Sequence, residues 1–138
     1  MRAIVIYFSQ TGNTRKSAMD IAHKLKLETY EIKSINEDPE ADFDGYSDFL
    51  IGTPIIDGGL PPLVENFLTR LDFRGRRLYF FYTMGGYLGT IDYQVHEICT
   101  GASIKTPLRL KFIESHCDDY DNAISEWTEY IKRDMGLF

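Results

Sequence analysis

The chain has 138 residues, 43% hydrophobic and 26% charged, which suits one domain over residues 1–138 with a single substantial core and excludes a wholly disordered polypeptide. Fifteen Lys and Arg against 21 Asp and Glu leave a net charge of −6, which disfavours nucleic acid or an anionic membrane surface and better suits a basic protein partner. No apolar run approaches the ~20 residues that span a bilayer, and the apolar start is too short and lacks a cleavage site for a signal peptide, so a cytoplasmic protein is expected.

Taken in chain order, residues 4–8 form an apolar run of strand length that ends in a polar turn. Ala18, Ile21, Ala22 and Leu25 then recur at helical spacing, with Asn13 or Thr14 available as a cap. Residues 29–32 read as a weaker, more polar edge strand. The stretch 34–47 has no helical stripe and predicts a loop or a single turn.

Residues 48–51 and 78–82 are near-continuous apolar strands, as expected for parallel strands covered on both faces. Between them Val64, Phe67, Leu68 and Leu71 mark a second helix, opened by Pro61 and Pro62. Ile91, Val95, Ile98 and Cys99 mark a third helix. Residues 108–113 give the last strand, and Ile124, Trp127 and Ile131 the last helix. Strand and helix alternating in this way predict a parallel sheet with right-handed crossovers.

The most informative segment is Ser9-Gln10-Thr11-Gly12-Asn13-Thr14, directly after the first strand and opening the first helix. There, free backbone N–H groups and the positive end of the helix dipole face an anion. Ser9, Thr11 and Thr14 add hydroxyl donors, and Gly12 permits a tight turn. GxxxxGK[ST] is absent, as is GxGxxG; Gly85, Gly86 and Gly89 come near the latter but follow a late strand. A monophosphate fits this loop better than a triphosphate or pyrophosphate.

In this loop the sequence resembles the flavodoxins, whose [ST]-x-T-G-x-T turn binds the phosphate of flavin mononucleotide (FMN). The resemblance implies a flavodoxin-like α/β fold with a five-stranded parallel sheet in the order 2-1-3-4-5. Helices would cover both faces, and the one between strands 2 and 3 would be short or absent. It further implies that Thr53, Pro54, Ile55, Ile56, Asp57 and Gly58 lie along one side of the flavin. A peptide on either side of Asp57 would then turn toward the reactive ring nitrogen. Thr83, Met84, Gly85, Gly86, Tyr87 and Gly89 would cover the other side, with Tyr87 stacking opposite Ile56.

Neither loop contains Lys or Arg, which disfavours added negative charge on the ring. The chain departs from the family in two places. Leu88-Gly89 stand where an acidic residue often follows the aromatic, and the only Trp, Trp127, falls on the last helix rather than in the first flavin loop.

By the same resemblance, the chain is expected to be a monomeric carrier that passes single electrons between redox partner proteins through one FMN. Two rivals stand beside it: an FMN-dependent NAD(P)H or quinone reductase (or a flavoprotein dedicated to one partner enzyme), and a binding module that has lost the flavin. The acids Glu37, Asp38, Glu40, Asp42, Asp44 and Asp48 are read either as a solvated loop or as a surface that steers a basic partner. The run from Glu114 to Asp121 matches no metal site and reads as a helix start. His23, His96 and the two cysteines show no catalytic pattern, Cys99 being read as a core residue.

Overall fold

The computed structural model describes residues 2–33 and 43–136. In chain order the elements are β1 (Ala3–Tyr7), α1 (Asn13–Leu25), β2 (Glu28–Glu31), β3 (Asp48–Pro54), α2 (Pro62–Thr69), β4 (Arg77–Met84), α3 (Ile91–Ile98), β5 (Ser103–Ile104), β6 (Leu108–Lys111) and α4 (Tyr120–Met135). All strand pairings are parallel, in the order β2-β1-β3-β4-β5, with β6 also on β4. The expected order and the polar edge strand are both present.

The last strand differs from the expectation. It consists of two pieces on β4, pairing Ser103 with Arg77 and Leu108 with Phe81. Pro107 separates them and has no N–H to offer the ladder. α4 closes the gap: Trp127 Nε1 donates to the Thr106 carbonyl at 3.0 Å, and the Trp127 ring meets Phe81 edge-on. Trp127 is thus a core residue, as the sequence suggested. At the other end the strand stops at Lys111, because Ile113 turns back onto His116.

The central strands are apolar along their middle stretches because helices cover both of their faces. Ile4, Ile6, Phe49, Ile51 and Phe80 pack with Val64 and Phe67 of α2 and with Ile91 and Val95 of α3. Their neighbours Val5, Tyr7, Leu50, Tyr79 and Phe81 pack with Ile21 of α1 and with Ile124, Trp127 and Ile131 of α4. β6 alternates instead: Leu108 and Leu110 are buried, whereas Arg109 and Lys111 are exposed. Charges pointing outward from an edge strand also hinder pairing with another chain.

One of the six acids does not belong to a surface. Asp48 is fully buried and accepts a short hydrogen bond from Arg77 Nε, while Arg77 also donates to the Asp134 carbonyl. This pairing anchors the starts of β3 and β4, so Asp48 contributes nothing to steering. Glu37, Asp38, Glu40 and Asp42, and most of the loop expected at 34–47, lie outside the described residues. Within the described part of that loop, Tyr46 N–H donates to the Phe43 carbonyl at 3.1 Å and closes a turn. No helix among the described residues is long and apolar enough to cross a membrane.

Candidate functional site: a cleft at the strand ends

The site begins where β1 stops. Gly12 takes φ +100, a left-handed value that glycine adopts without penalty. It precedes α1 and no side chain caps the helix from that position. Neither Asn13 nor Thr14 acts as the expected cap. Instead Ser9 Oγ accepts the N–H groups of Gly12 and Arg15, both at 3.2 Å, and does the capping from outside the helix. The first helical bond runs from Lys16 N–H to Gly12 O. The N–H groups of Asn13 and Thr14 therefore point out of the helix start with no acceptor in it.

The side chains of this turn divide the work unequally. Gln10 and Thr11 are exposed, and Ser9 keeps its own O–H to donate. Thr14, expected to offer a hydroxyl, is buried and shares it with Thr83 Oγ1 at 2.7 Å. That bond ties α1 to the end of β4. The nearby cations are engaged elsewhere: Arg15 faces Glu31 at 3.6 Å, and Lys16 faces Asp20 at 3.0 Å and lies over the Tyr120 ring. The turn thus offers an anion N–H and O–H donors and the helix dipole, and no cationic side chain of its own.

The second loop is a tight hairpin. Ile56 and Gly59 exchange both backbone hydrogen bonds at 3.0 Å, and Asp57 and Gly58 have φ +51 and +76. Two successive positive φ angles are the mark of a type I′ turn, for which Asp-Gly is a favoured pair. Thr53 is fully buried, its hydroxyl on the Pro54 carbonyl.

The third loop packs on this turn. Thr90 N–H donates to Gly58 O at 2.8 Å. A Cβ on Gly58 would lie 2.7 Å from the Tyr87 ring, and one on Gly89 would lie 2.2 Å from Gly58 O. Both positions require glycine. Tyr87 is 72% exposed.

These segments meet in a cleft of about 440 Å³ lined by Gln10, Thr11, Asn13, Pro54, Ile55, Ile56, Thr83, Met84 and Gly85, together with Phe112, Glu114 and Ser115. Ladder bonds carried past the strands hold its walls together, from Ile55 N–H to Thr83 O at 2.9 Å and from Phe112 N–H to Met84 O at 2.8 Å. The cleft lies at the carboxyl ends of the strands, where their order reverses between β1 and β3. In open α/β sheets ligands bind at that position. A larger hollow, about 550 Å³, opens beyond Phe112 and Ser115 toward Cys117 and Tyr120. It lies away from the anion turn and the ends of β1 and β3, which is why the smaller cleft is the candidate site.

The structure thus brings the anion turn, Ile56 and Met84-Gly85 together. It places Ser9, Gly12, Thr14, Thr53, Asp57, Gly58, Gly86, Tyr87 and Gly89 outside the cleft lining, with the Tyr87 ring against Gly58. Sequence reasoning missed Phe112, Glu114 and Ser115. Asn13 Nδ2 donates to the Glu114 carbonyl at 2.9 Å and fixes this extra wall to the anion turn. Glu114 itself has φ +57 within a hairpin closed by Ile113 and His116. A pair 101 residues apart leaves no local signature in the chain.

The titratable groups fit this picture. Burial pushes the Cys99 thiol up to about 12, as for an unreactive core cysteine. Cys117 is also raised, by burial and then by Asp118. Tyr82, under the floor between the helices, is raised well above the usual phenol range by burial. Among the described residues there is no group of three His, Cys, Asp or Glu side chains able to hold a metal ion.

Comparison with known proteins agrees with this geometry. The model of a family described as flavodoxin domain matches residues 4–90. The chain is similar in fold to oxidised flavodoxin 2 from Bacillus cereus, with a TM-score of 0.75 and 20% identity over 97% of this chain and 99% of that one. Two-electron reduced Megasphaera elsdenii flavodoxin gives a TM-score of 0.71 and 21% identity over 92% and 96%. A Lactobacillus acidophilus flavoprotein in complex with FMN gives 0.68 and 18% over 92% and 98%. No curated protein sequence matches the chain.

Proposed function

The chain belongs to the flavodoxin domain family, and on that premise we propose that it carries single electrons between redox partner proteins through one non-covalently held FMN. One observation carries the reading: a single cleft joins a cation-free anion turn to apolar walls. Its volume of about 440 Å³ lies in the range of small-molecule sites. Pro54, Ile55, Ile56, Met84 and Phe112 suit a flat apolar body, and Gln10, Thr11 and Asn13 suit its charged end.

The residues would divide as follows. Ser9 O–H, Thr11 O–H and the N–H groups of Asn13 and Thr14 bind the phosphate, and Gly12 sets the turn. Ile56 and Met84 exclude water from the ring, and Asn13 holds the Glu114 wall against the cleft. Tyr87 stacks at the exposed edge, on the turn formed by Asp57 and Gly58. Bound FMN supplies the electron chemistry, so the protein needs to orient and shield it rather than act as an acid or base. The chain's acidic balance favours partners with a basic docking surface.

The test is an anaerobic dithionite titration of the FMN-loaded protein, followed by its visible spectrum. The reading predicts two separate one-electron steps and no NAD(P)H oxidation by the purified protein. One two-electron step accompanied by NAD(P)H oxidation would instead identify a reductase.

A further inference from the structure

The loops that face the cleft contain no Lys or Arg, yet the fold brings a cation to them. Lys111, the last residue of β6, is in parallel register with Met84. Its neighbour Phe112 donates its N–H to the Met84 carbonyl, and both Phe112 and Met84 line the cleft. Across the strand edge, the Lys111 side chain reaches Gly86: a Cβ built there would lie 3.3 Å from Lys111 Cε and 3.7 Å from Nζ.

Gly86 has φ +130 and follows Gly85, another lining residue. Lys111 is exposed, and its ammonium forms no ion pair or hydrogen bond among the described residues. The other cation on this strand, Arg109, is neutralised by Asp92 at 2.6 Å. Lys111 is therefore the cation beside the cleft without an acidic partner, and the exposed Glu114 carboxylate on the cleft wall is the charge it works against.

We propose that Lys111 tunes the reduction of the bound flavin by favouring the form that carries a negative charge, which rests on the FMN reading above. The neutral oxidised ring takes up two electrons from the reductant and one proton from solvent, leaving one net negative charge. An ammonium group beside the loop stabilises that charge and leaves the oxidised ring nearly unaffected. At a separation of one physiological Debye length, about 8 Å, two unit charges interact by an amount equal to roughly twofold to thirtyfold in an equilibrium, for effective dielectric constants of about 80 and 20. The effect reverses what the composition of the two loops alone suggests. Lys111 acts through its charge, as a positioning residue for electrons rather than a catalytic one.

The test compares wild type, Lys111→Gln and Lys111→Arg, each loaded with FMN and reduced by dithionite beside a reference dye. FMN affinity is measured in both oxidation states. Expected for Lys111→Gln is a fall in the reduced-to-oxidised ratio at fixed potential, of roughly fivefold at low salt. Its affinity for oxidised FMN stays at the wild-type value, and Lys111→Arg matches wild type. The difference shrinks in about 1 M salt, where the Debye length is ~3 Å. Equal ratios in all three proteins overturn the proposal. So does an equal fall in Lys111→Arg, which would assign Lys111 a packing role on Gly86. Failure of the wild type to take up FMN overturns the FMN reading itself, and is visible before any reduction.

Discussion

The two ends of the cleft are built on different scales. The anion turn closes on itself within seven residues, Ser9 Oγ collecting the N–H groups of Gly12 and Arg15. The far end and the walls are assembled from distant parts: Gly58 against Gly89 and Lys111 against Gly86 at the far end, and the Glu114 wall tied back to Asn13. The first arrangement follows from local residue types and their order. The second exists only once the sheet has formed, because it depends on which strands end side by side.

The largest way to break the far end is Gly89→Val. Its Cβ would meet the Gly58 backbone at distances of 2.2–2.6 Å from a φ of +62. Overpacking and backbone strain together predict a loss of about 3 kcal/mol in chemical denaturation. Flavin affinity should fall even where the variant still folds.

A control away from both ends comes from Cys99. Its folded pKa, about 12, lies above the ~8.5 of an unfolded thiol. The folded state therefore holds the proton longer, and stability is lost as pH rises from ~8.5 toward 12. By pH 10 this amounts to about 2 kcal/mol. In Cys99→Ala the fall in denaturation midpoint between pH 8.5 and 10 should be shallower; an unchanged slope would contradict the burial argument.

A smaller effect sharpens the contrast. Ser9→Ala removes the acceptor for two N–H groups and one donor to the anion. It should cost about 1 kcal/mol of stability and weaken FMN roughly tenfold, leaving riboflavin, which lacks the phosphate, unchanged. Smallest is Asn13→Ala, which releases the Glu114 wall. It should weaken FMN and riboflavin by the same factor, about threefold, since both need the wall; a loss confined to FMN would place the Asn13 side chain on the phosphate instead.

The same division governs what could be read in the chain. Parallel strands with both faces covered by helices and the position of the anion turn follow from apolar runs and a polar turn at a strand end, whereas the strand order comes from the family resemblance. Ser9 as a cap from outside the helix, and the Asp57-Gly58 type I′ turn, had local signals in their residue types. The burial of Asp48 had none, because its partner Arg77 lies 29 residues away on the next strand. The split of the last strand was signalled by Pro107, but the two-residue β5 is too short to show a pattern. Phe112 joins the cleft, and Lys111 its rim, through register with β4, and Glu114 and Ser115 follow in the hairpin beyond it; register is a property of the sheet.

The central claim is that one cleft binds FMN by two separable ends, and it is tested most directly by titrating the protein with FMN and with riboflavin, following flavin fluorescence. Charge-assisted hydrogen bonds from Ser9, Thr11 and the N–H groups of Asn13 and Thr14 to the phosphate predict that FMN binds at least about 100-fold tighter, with the gap narrowing in Ser9→Ala and persisting in Asn13→Ala. Equal affinity for the two flavins, or no binding of either, would contradict it.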